Sequence, residues 1–332
     1  SLEILEVAND VIANNIRQYK KTLKTLTKSG LKPALYPQMD QQSEAEFIVQ
    51  KISEMIDSGM PEEEISVLFR AAHHSQMLEM ELVKAGINYD YRGGLRFFER
   101  AHIKDMLAYL RILSNLADTA AWMRVLTREE GIGPAGASRV VAAVQRFVIP
   151  SEPQRGDEES LSVTGMTEIF HFVRNDIPNI LGEKAKQGWY NFTRIWDALL
   201  GVKKSPSELI SAVIESPYKD YLESEFIDSR DRFEDIEQLK IFAKKYDDLE
   251  QFLAEASLQE SFGARGSTRI AGRIDADDKA DKIVLSTIHQ AKGLEWSSVF
   301  LINLASGAFP NDRALREDGG LEEERRLFYV AI

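Results

Sequence analysis

The sequence predicts an α/β fold in which a parallel sheet is interrupted by one large all-helical insertion. Three observations predict it. β-forming runs at residues 65–69 and 87–91 flank a helical pattern at 75–85, which is a βαβ unit and makes the sheet parallel. Helical periodicity then dominates residues 102–260, and strand signals return only at residue 282. A helical block inside an α/β domain must leave and re-enter the same sheet, so the block reads as an insertion and its two flanks as one domain.

In chain order, residues 2–27 place Ile4, Leu5, Val7, Ala8, Val11, Ile12 and Ile16 at helical spacing, then turn basic at Lys20, Lys21, Lys24 and Lys28 before Gly30. Cations suit the carboxyl end of a helix, so the cluster reads as a solvated helix end, with a DNA contact as the alternative. Residues 43–58 form a second helix, with Ser43 and Glu46 at capping-box spacing and Gly59-Met60-Pro61 as its stop. The strand at 65–69 reads as short and buried; the helix at 75–85 ends at Gly86. Beyond Gly93-Gly94, Leu107, Leu110 and Leu113 share a helix face, and further helices are expected at 120–126, 137–147, 166–173, 184–200, 206–215 and, as one long helix, 230–256. Residues 150–162, acidic and proline-bearing, and 261–279, rich in Gly, Ser, Arg and Asp, read as flexible segments. Residues 282–287 are a buried strand followed by a turn at Lys292-Gly293. The apolar run 298–303 follows too closely for a crossover helix and reads as its neighbour in the sheet. Polar groups at the carboxyl ends of such strands sit where open α/β sheets bind ligands.

The bulk properties narrow the class. A length of 332 residues suggests two domains, and 44% hydrophobic with 28% charged residues is a soluble globular composition. A net charge of -12 argues against a protein that coats polyanions generally, while leaving room for a local basic track. The absence of cysteine excludes disulfides and thiolate metal sites and fits a reducing cytoplasm. No apolar run approaches the ~18 residues of a membrane span, and the amino end does not read as a signal peptide, so a cytoplasmic protein with no membrane partner is expected.

Residues 287–296, T-I-H-Q-A-K-G-L-E-W, resemble motif V of the UvrD/Rep/PcrA type of superfamily 1 DNA helicases, and E-E-E-R-R-L-F-Y-V-A-I at 322–332 resembles the start of their motif VI. I-S-V-L-F-R at 65–70 is similar to motif IV, and G-G-L-R-F-F-E-R at 93–100 to the family block just after it. The blocks occur in the family's order over its usual distances, across essentially the whole chain. The resemblance implies the carboxyl-terminal half of such a helicase. Residues 1–105 and 278–332 would be the RecA-like domain 2A, of the P-loop NTPase type without its own P-loop and ending within motif VI, and residues 106–277 the helical insertion 2B. It also implies ATP with Mg²⁺ as cofactor, an amino-terminal RecA-like domain of the same protein as partner, and single-stranded DNA with its single/double-strand junction as substrate. Repair or replication proteins are implied as further partners.

The residues that could carry this chemistry follow. Arg70, at the end of a strand, can fork onto phosphate oxygens; the resemblance assigns it to the γ-phosphate of ATP. Phe69 beside it fits either the core or a face against adenine. The Glu295 carboxylate can accept both ribose hydroxyls, and Gly293 belongs to the same turn. Thr287 and His289 offer a hydroxyl and an imidazole to nucleotide or DNA phosphate. Gly93, Gly94, Arg96, Phe97 and Arg100 combine amides, cations and an aromatic, as a single-strand track requires, although Glu99-Arg100 also fits a simple ion pair. Phe309, in S-G-A-F-P, is either a base contact or part of a turn pinned by Gly307 and Pro310. Gly131 and Gly133, resembling the family's G-I-G element, could present amides to duplex phosphates, although Glu129-Glu130 stand where relatives often carry basic residues. Arg325 and Arg326 read as residues that order the motif VI helix. No G-x-x-x-x-G-K-[ST] phosphate loop, strand ending in Asp-Glu or metal-ligand spacing is present. Two alternatives stand beside the helicase reading: the helicase part of a RecB/AddA-type helicase-nuclease, and a binding module without a motor role.

Overall fold

The computed structural model describes residues 1–17, 23–25, 30–148, 174–202, 205–266 and 282–332. They form two compact units, one of Ser1–Phe97 with Phe262–Ile332 and one of Phe98–Ser261. The strands are β1 (Ile65–Phe69), β2 (Tyr89–Arg92), β3 (Ile283–Thr287) and β4 (Ser298–Leu301). The helices are α1 (Leu2–Ala13), α2 (Gln41–Asp57), α3 (Gln76–Lys84), α4 (Ala101–Ser114), α5 (Thr119–Leu126), α6 (Pro134–Val148) and α7 (Ile177–Leu181). They continue as α8 (Lys186–Leu200), α9 (Pro206–Ile214), α10 (Tyr218–Glu225), α11 (Ser229–Ala243), α12 (Leu249–Gly266), α13 (Asp312–Leu315) and α14 (Gly320–Ala331). Among the described residues no helix is long and apolar enough to cross a membrane.

The first unit holds a four-stranded parallel sheet in the order β2-β3-β1-β4. β3, which follows the helical block in sequence, lies between β1 and β2, so both flanks build one sheet. The expected pairing of the two strands after residue 282 is corrected: β4 pairs with β1. β1 is buried along its whole length, as a central parallel strand must be, whereas β4 keeps Val299 exposed and suits the edge. Side chains alternate along β1. Leu68 enters an apolar cluster with Ile288, Ala291, Phe309, Leu327 and Ala331, while Phe69, on the opposite face, packs on Tyr91 with ring centroids 5.8 Å apart.

Several element boundaries differ from the expectation. α1 ends at Ala13 rather than near residue 27 because tertiary bonds capture the next residues. Asn15 Nδ2 donates to the Glu322 carbonyl at 2.9 Å, and the Ile16 N–H donates to the Glu322 carboxylate at 2.8 Å. Lys20, Lys21 and Lys28 lie outside the described residues. The cap of α2 is Asp40, not Ser43: the Ser43 N–H donates to Asp40 Oδ1 at 2.8 Å, and Ser43 Oγ accepts from the Asp40 N–H at 3.1 Å. The single long helix expected at 230–256 is two, α11 and α12, since Asp248 accepts the Gln251 N–H at 3.2 Å and starts a new helix. α7 and α10 were not expected. The helix expected at 166–173 and the segment 150–162 lie outside the described residues, as does most of 261–279, of which residues 261–266 continue α12.

Among its described residues the second unit has helices and connecting turns and no strand. Trp122, Phe192 and Trp196 pack ring to ring around its centre, with Trp189 on Phe192. Two buried charge clusters interrupt this apolar packing. Asp235 joins Arg100 Nη1 at 2.5 Å and His102 Nε2 at 2.7 Å. The Arg128 guanidinium sits over the rings of Tyr109, Tyr218 and Tyr221, with Glu129 at 3.0 Å. Arg100, expected on a DNA track or paired with Glu99, is instead buried against Asp235.

Candidate functional site

A parallel sheet brings all its strand ends of one sense to one edge, and here that edge gathers five of the sequence-predicted site residues, Arg70, Thr287, His289, Gly93 and Gly94. Arg70 leaves the end of β1, Thr287 ends β3 opposite Phe69, and Gly93-Gly94 follow β2. Arg70 shares the Leu68 face by strand alternation, which turns it toward α14. There Nε donates to Glu324 Oε1 at 2.9 Å and Oε2 at 3.2 Å, and Nη2 lies 2.9 Å from Oε1. The Glu324 side chain is 4% exposed and that of Arg70 25% exposed. Among the described residues, Nη1 of Arg70 has no hydrogen-bond partner. Beside it, burial and the neighbouring His73 and Arg70 push the His74 imidazole down to about 3, so that His74 adds no charge beside Arg70.

The turn after β3 folds back on the β2 end. Thr287 is half-buried, and its carbonyl accepts the Gln290 and Ala291 N–H groups at 3.0 Å each; His289 is exposed. Gly93 (φ 97°) touches this turn so closely that a Cβ would stand 2.4 Å from Gln290 Cγ. Gly94 and Arg92 are exposed beside it. The chain then runs back toward the amino ends of the strands, where the Ser297 N–H donates to Glu64 Oε2 at 3.1 Å just before β1. Gly293 (φ 87°) and the exposed Glu295 lie on this return leg. Glu295 is therefore not gathered at the same edge as Arg70; its neighbour Trp296 packs on the Leu68 cluster.

Phe97 and Arg96 are corrected, and Phe69 and Phe309 take structural places rather than ligand-facing ones. Phe69 and Phe97 are fully buried, and Phe309 is buried against Phe328 with ring centroids 5.7 Å apart. None of these rings has a face open to adenine or a base, because core packing covers each on both sides. Arg96 folds back on β2, donating from Nη2 to the Tyr89 carbonyl at 2.8 Å with its guanidinium 4.5 Å from the Tyr89 ring centre. Arg325 and Arg326, expected to order their own helix, also reach the segment after α1: Arg325 Nη1 reaches Asn15 Oδ1 at 3.3 Å and Arg326 Nη2 the Arg17 carbonyl at 2.9 Å, while Arg326 pairs with Glu322 and Glu323 in its own helix.

The model of the UvrD-like helicase C-terminal domain matches residues 1–332. The chain belongs to that family. Relatives include the ATP-dependent DNA helicase PcrA of Bacillus subtilis (strain 168), 31% identical over 341 residues covering 99% of this chain and 43% of that protein. PcrA of Staphylococcus aureus (strain MRSA252) is 30% identical over 344 residues, with the same coverage. The chain thus spans less than half the length of these relatives.

The second unit of this UvrD-like domain separates its two glycine candidates. Gly131 (φ 74°) is required by packing, since a Cβ there would stand 2.0 Å from the Lys184 carbonyl oxygen. Gly133 is exposed, has open space around it and precedes α6, whose Ala137 N–H returns to the Gly133 carbonyl at 3.0 Å. Glu129 does not face solvent: it is buried on Arg128, and burial pushes its carboxyl up. Only Glu130 of the acidic pair is presented outward. Two charged residues beside the candidate site escaped sequence reading. Arg92 could have been noticed as a cation in the last position of its strand. Glu324 could have been noticed as a charge three and seven residues before the apolar Leu327 and Ala331, on the buried face of its helix.

Proposed function

We propose that the chain is the carboxyl-terminal portion of an ATP-dependent DNA helicase or translocase working 3′ to 5′ in DNA repair or replication. In this reading the sheet unit is domain 2A and the helical unit domain 2B. The observation that carries it is the meeting of Arg70, the Thr287–Gln290 turn and Gly93-Gly94 at the carboxyl edge of one parallel sheet.

The residues present fit a nucleoside triphosphate held against an amino-terminal RecA-like domain. Arg70 keeps Nη1 for the γ-phosphate and stabilises charge there. Glu295 accepts the ribose hydroxyls, which requires the nucleotide to lie along the α14 face on which residues 288–297 return. Magnesium is assigned to ligands of the amino-terminal domain; among the described residues no group of His, Cys, Asp or Glu could hold a metal ion. ATP when bound supplies the phosphoanhydride whose cleavage drives the cycle. Thr287, His289, Gly93 and Gly94 bind the single strand through its phosphates, without reading sequence. Closure on nucleotide biases a two-state interface between the RecA-like domains and moves them along the strand.

ATP turnover by the full-length protein with and without single-stranded DNA tests this. DNA-stimulated turnover is expected, with none from residues 1–332 alone. Turnover absent from the full-length protein while DNA binding persists would leave a binding module. Gly93→Ala is expected to weaken binding to a single-stranded oligonucleotide, measured by fluorescence anisotropy. It should also cost about 1–2 kcal/mol of stability from the left-handed backbone it must adopt. In the helical unit, Gly131→Ala should lower the unfolding midpoint whether or not DNA is present. Gly133→Ala should fold normally, so a loss of duplex affinity there would report a backbone contact with DNA.

A further inference from the structure

Glu324 sits where an amphipathic helix should be apolar. α14 buries Gly320, Glu324, Leu327 and Ala331 on one face, and the last two enter the Leu68 cluster. A carboxylate there must be fully compensated, and it is. It takes Nε and Nη2 of Arg70, and Oε2 also accepts the Asn311 N–H at 3.2 Å. A buried ion pair of this kind is weak evidence for stability, because apolar residues of the same volume often hold a core equally well. What the pair does supply is geometry. Both oxygens grip one edge of a planar guanidinium, which fixes its plane and leaves the Nη1 edge pointing away from the helix.

Resting on the reading of Arg70 given above, we propose that Glu324 is the positioning residue for Arg70. It clamps the Nε/Nη2 edge so that Nη1 is presented to the γ-phosphate in one orientation. The same carboxylate holds the backbone of Asn311, so the loop of residues 307–311 is tied to the arginine through a single group. An arginine on a strand end otherwise samples many rotamers, and each must be frozen when the phosphate arrives. Glu324 removes that motion beforehand, and the benefit falls on turnover rather than on nucleotide affinity.

The test is steady-state ATP turnover by the full-length protein carrying Glu324→Gln, Glu324→Asp, Arg70→Ala, or Glu324→Gln with Arg70→Ala. Glutamine keeps the shape and an acceptor for Asn311 but loses the charge, and aspartate keeps the charge but withdraws it. Each is expected to lower kcat by about tenfold to 100-fold, as misplacement of a reacting group does, with KM for ATP little changed. The double variant should be no slower than Arg70→Ala alone, because the two residues act as one unit. Wild-type kcat in either single Glu324 variant, or losses that multiply in the double variant, would overturn the proposal. Undiminished turnover in Arg70→Ala would instead overturn the role of Arg70 itself, so the two failures are told apart.

Discussion

Arg70→Ala in the full-length protein is expected to lower DNA-stimulated ATP turnover by about 1,000-fold or more, the scale on which an arginine finger acts in phosphoryl transfer. Two features favour so large an effect. Arg70 carries a fixed charge at the end of β1, while the neighbouring His74 is held neutral by burial. Its guanidinium is also gripped along one edge by Glu324, so the phosphate contact proposed for it would need no reorganisation. Binding of single-stranded DNA in the absence of nucleotide should survive, since the Thr287 turn and Gly93-Gly94 are untouched. Loss of that binding together with turnover would mean that the substitution collapses the sheet edge, through the Glu324 carboxylate left without its cation.

Asp235→Ala is expected to destabilise the helical unit by about 3–5 kcal/mol, the cost of leaving buried partners without their counter-charge. Asp235 meets both Arg100 and His102, and all three are buried. Arg232 Nη1 lies 3.2 Å from the other imidazole nitrogen, which accepts from it when the His102 proton sits on Nε2 and points at Asp235. Burial alone would push the Asp235 carboxyl up, but the His102 hydrogen bond and the Arg100 charge outweigh it and hold the carboxyl below its ordinary 3.8. A carboxylate held lower in the folded than in the unfolded state stabilises above the unfolded value, and that contribution is lost as pH falls below 3.8 toward the folded one. Urea unfolding followed by tryptophan emission measures this, because Trp122, Trp189 and Trp196 are all in this unit. An Asp235→Ala midpoint equal to wild type at neutral pH would refute the assignment.

The sheet and the position of the helical block were legible because strand runs and helical periodicity are local signals. Strand order was not. Nothing within residues 282–303 says that β1, more than 200 residues earlier, will lie between β3 and β4; that follows from which strand can be buried on both faces. The candidate site divides along the same line. Arg70, Thr287, Gly93 and Gly94 are backbone-anchored at strand ends, so finding the strands found them. Phe97 was misread, and Phe69 and Phe309 stayed open between ligand and structural roles, because an aromatic ring carries the same sequence signal whether it stacks on a ligand or fills a core. The break between α11 and α12 was missed because Lys244, Lys245, Asp247 and Asp248 fit the polar face of a continuing helix as well as they fit a cap.

The strand order also sets a timetable for synthesis. β1 and β2 have no bonds to each other; each pairs with β3, which cannot exist until residues 283–287 are made. The helical unit, by contrast, is one continuous stretch, Phe98–Ser261, and lies entirely upstream of that strand. During translation it can complete its core while the earlier strands still wait, their apolar faces open to the chaperones that attend a nascent chain. The sheet then closes only after the helical unit has folded, and slowing elongation between residues 261 and 283 should lengthen the interval in which β1 is accessible to protease.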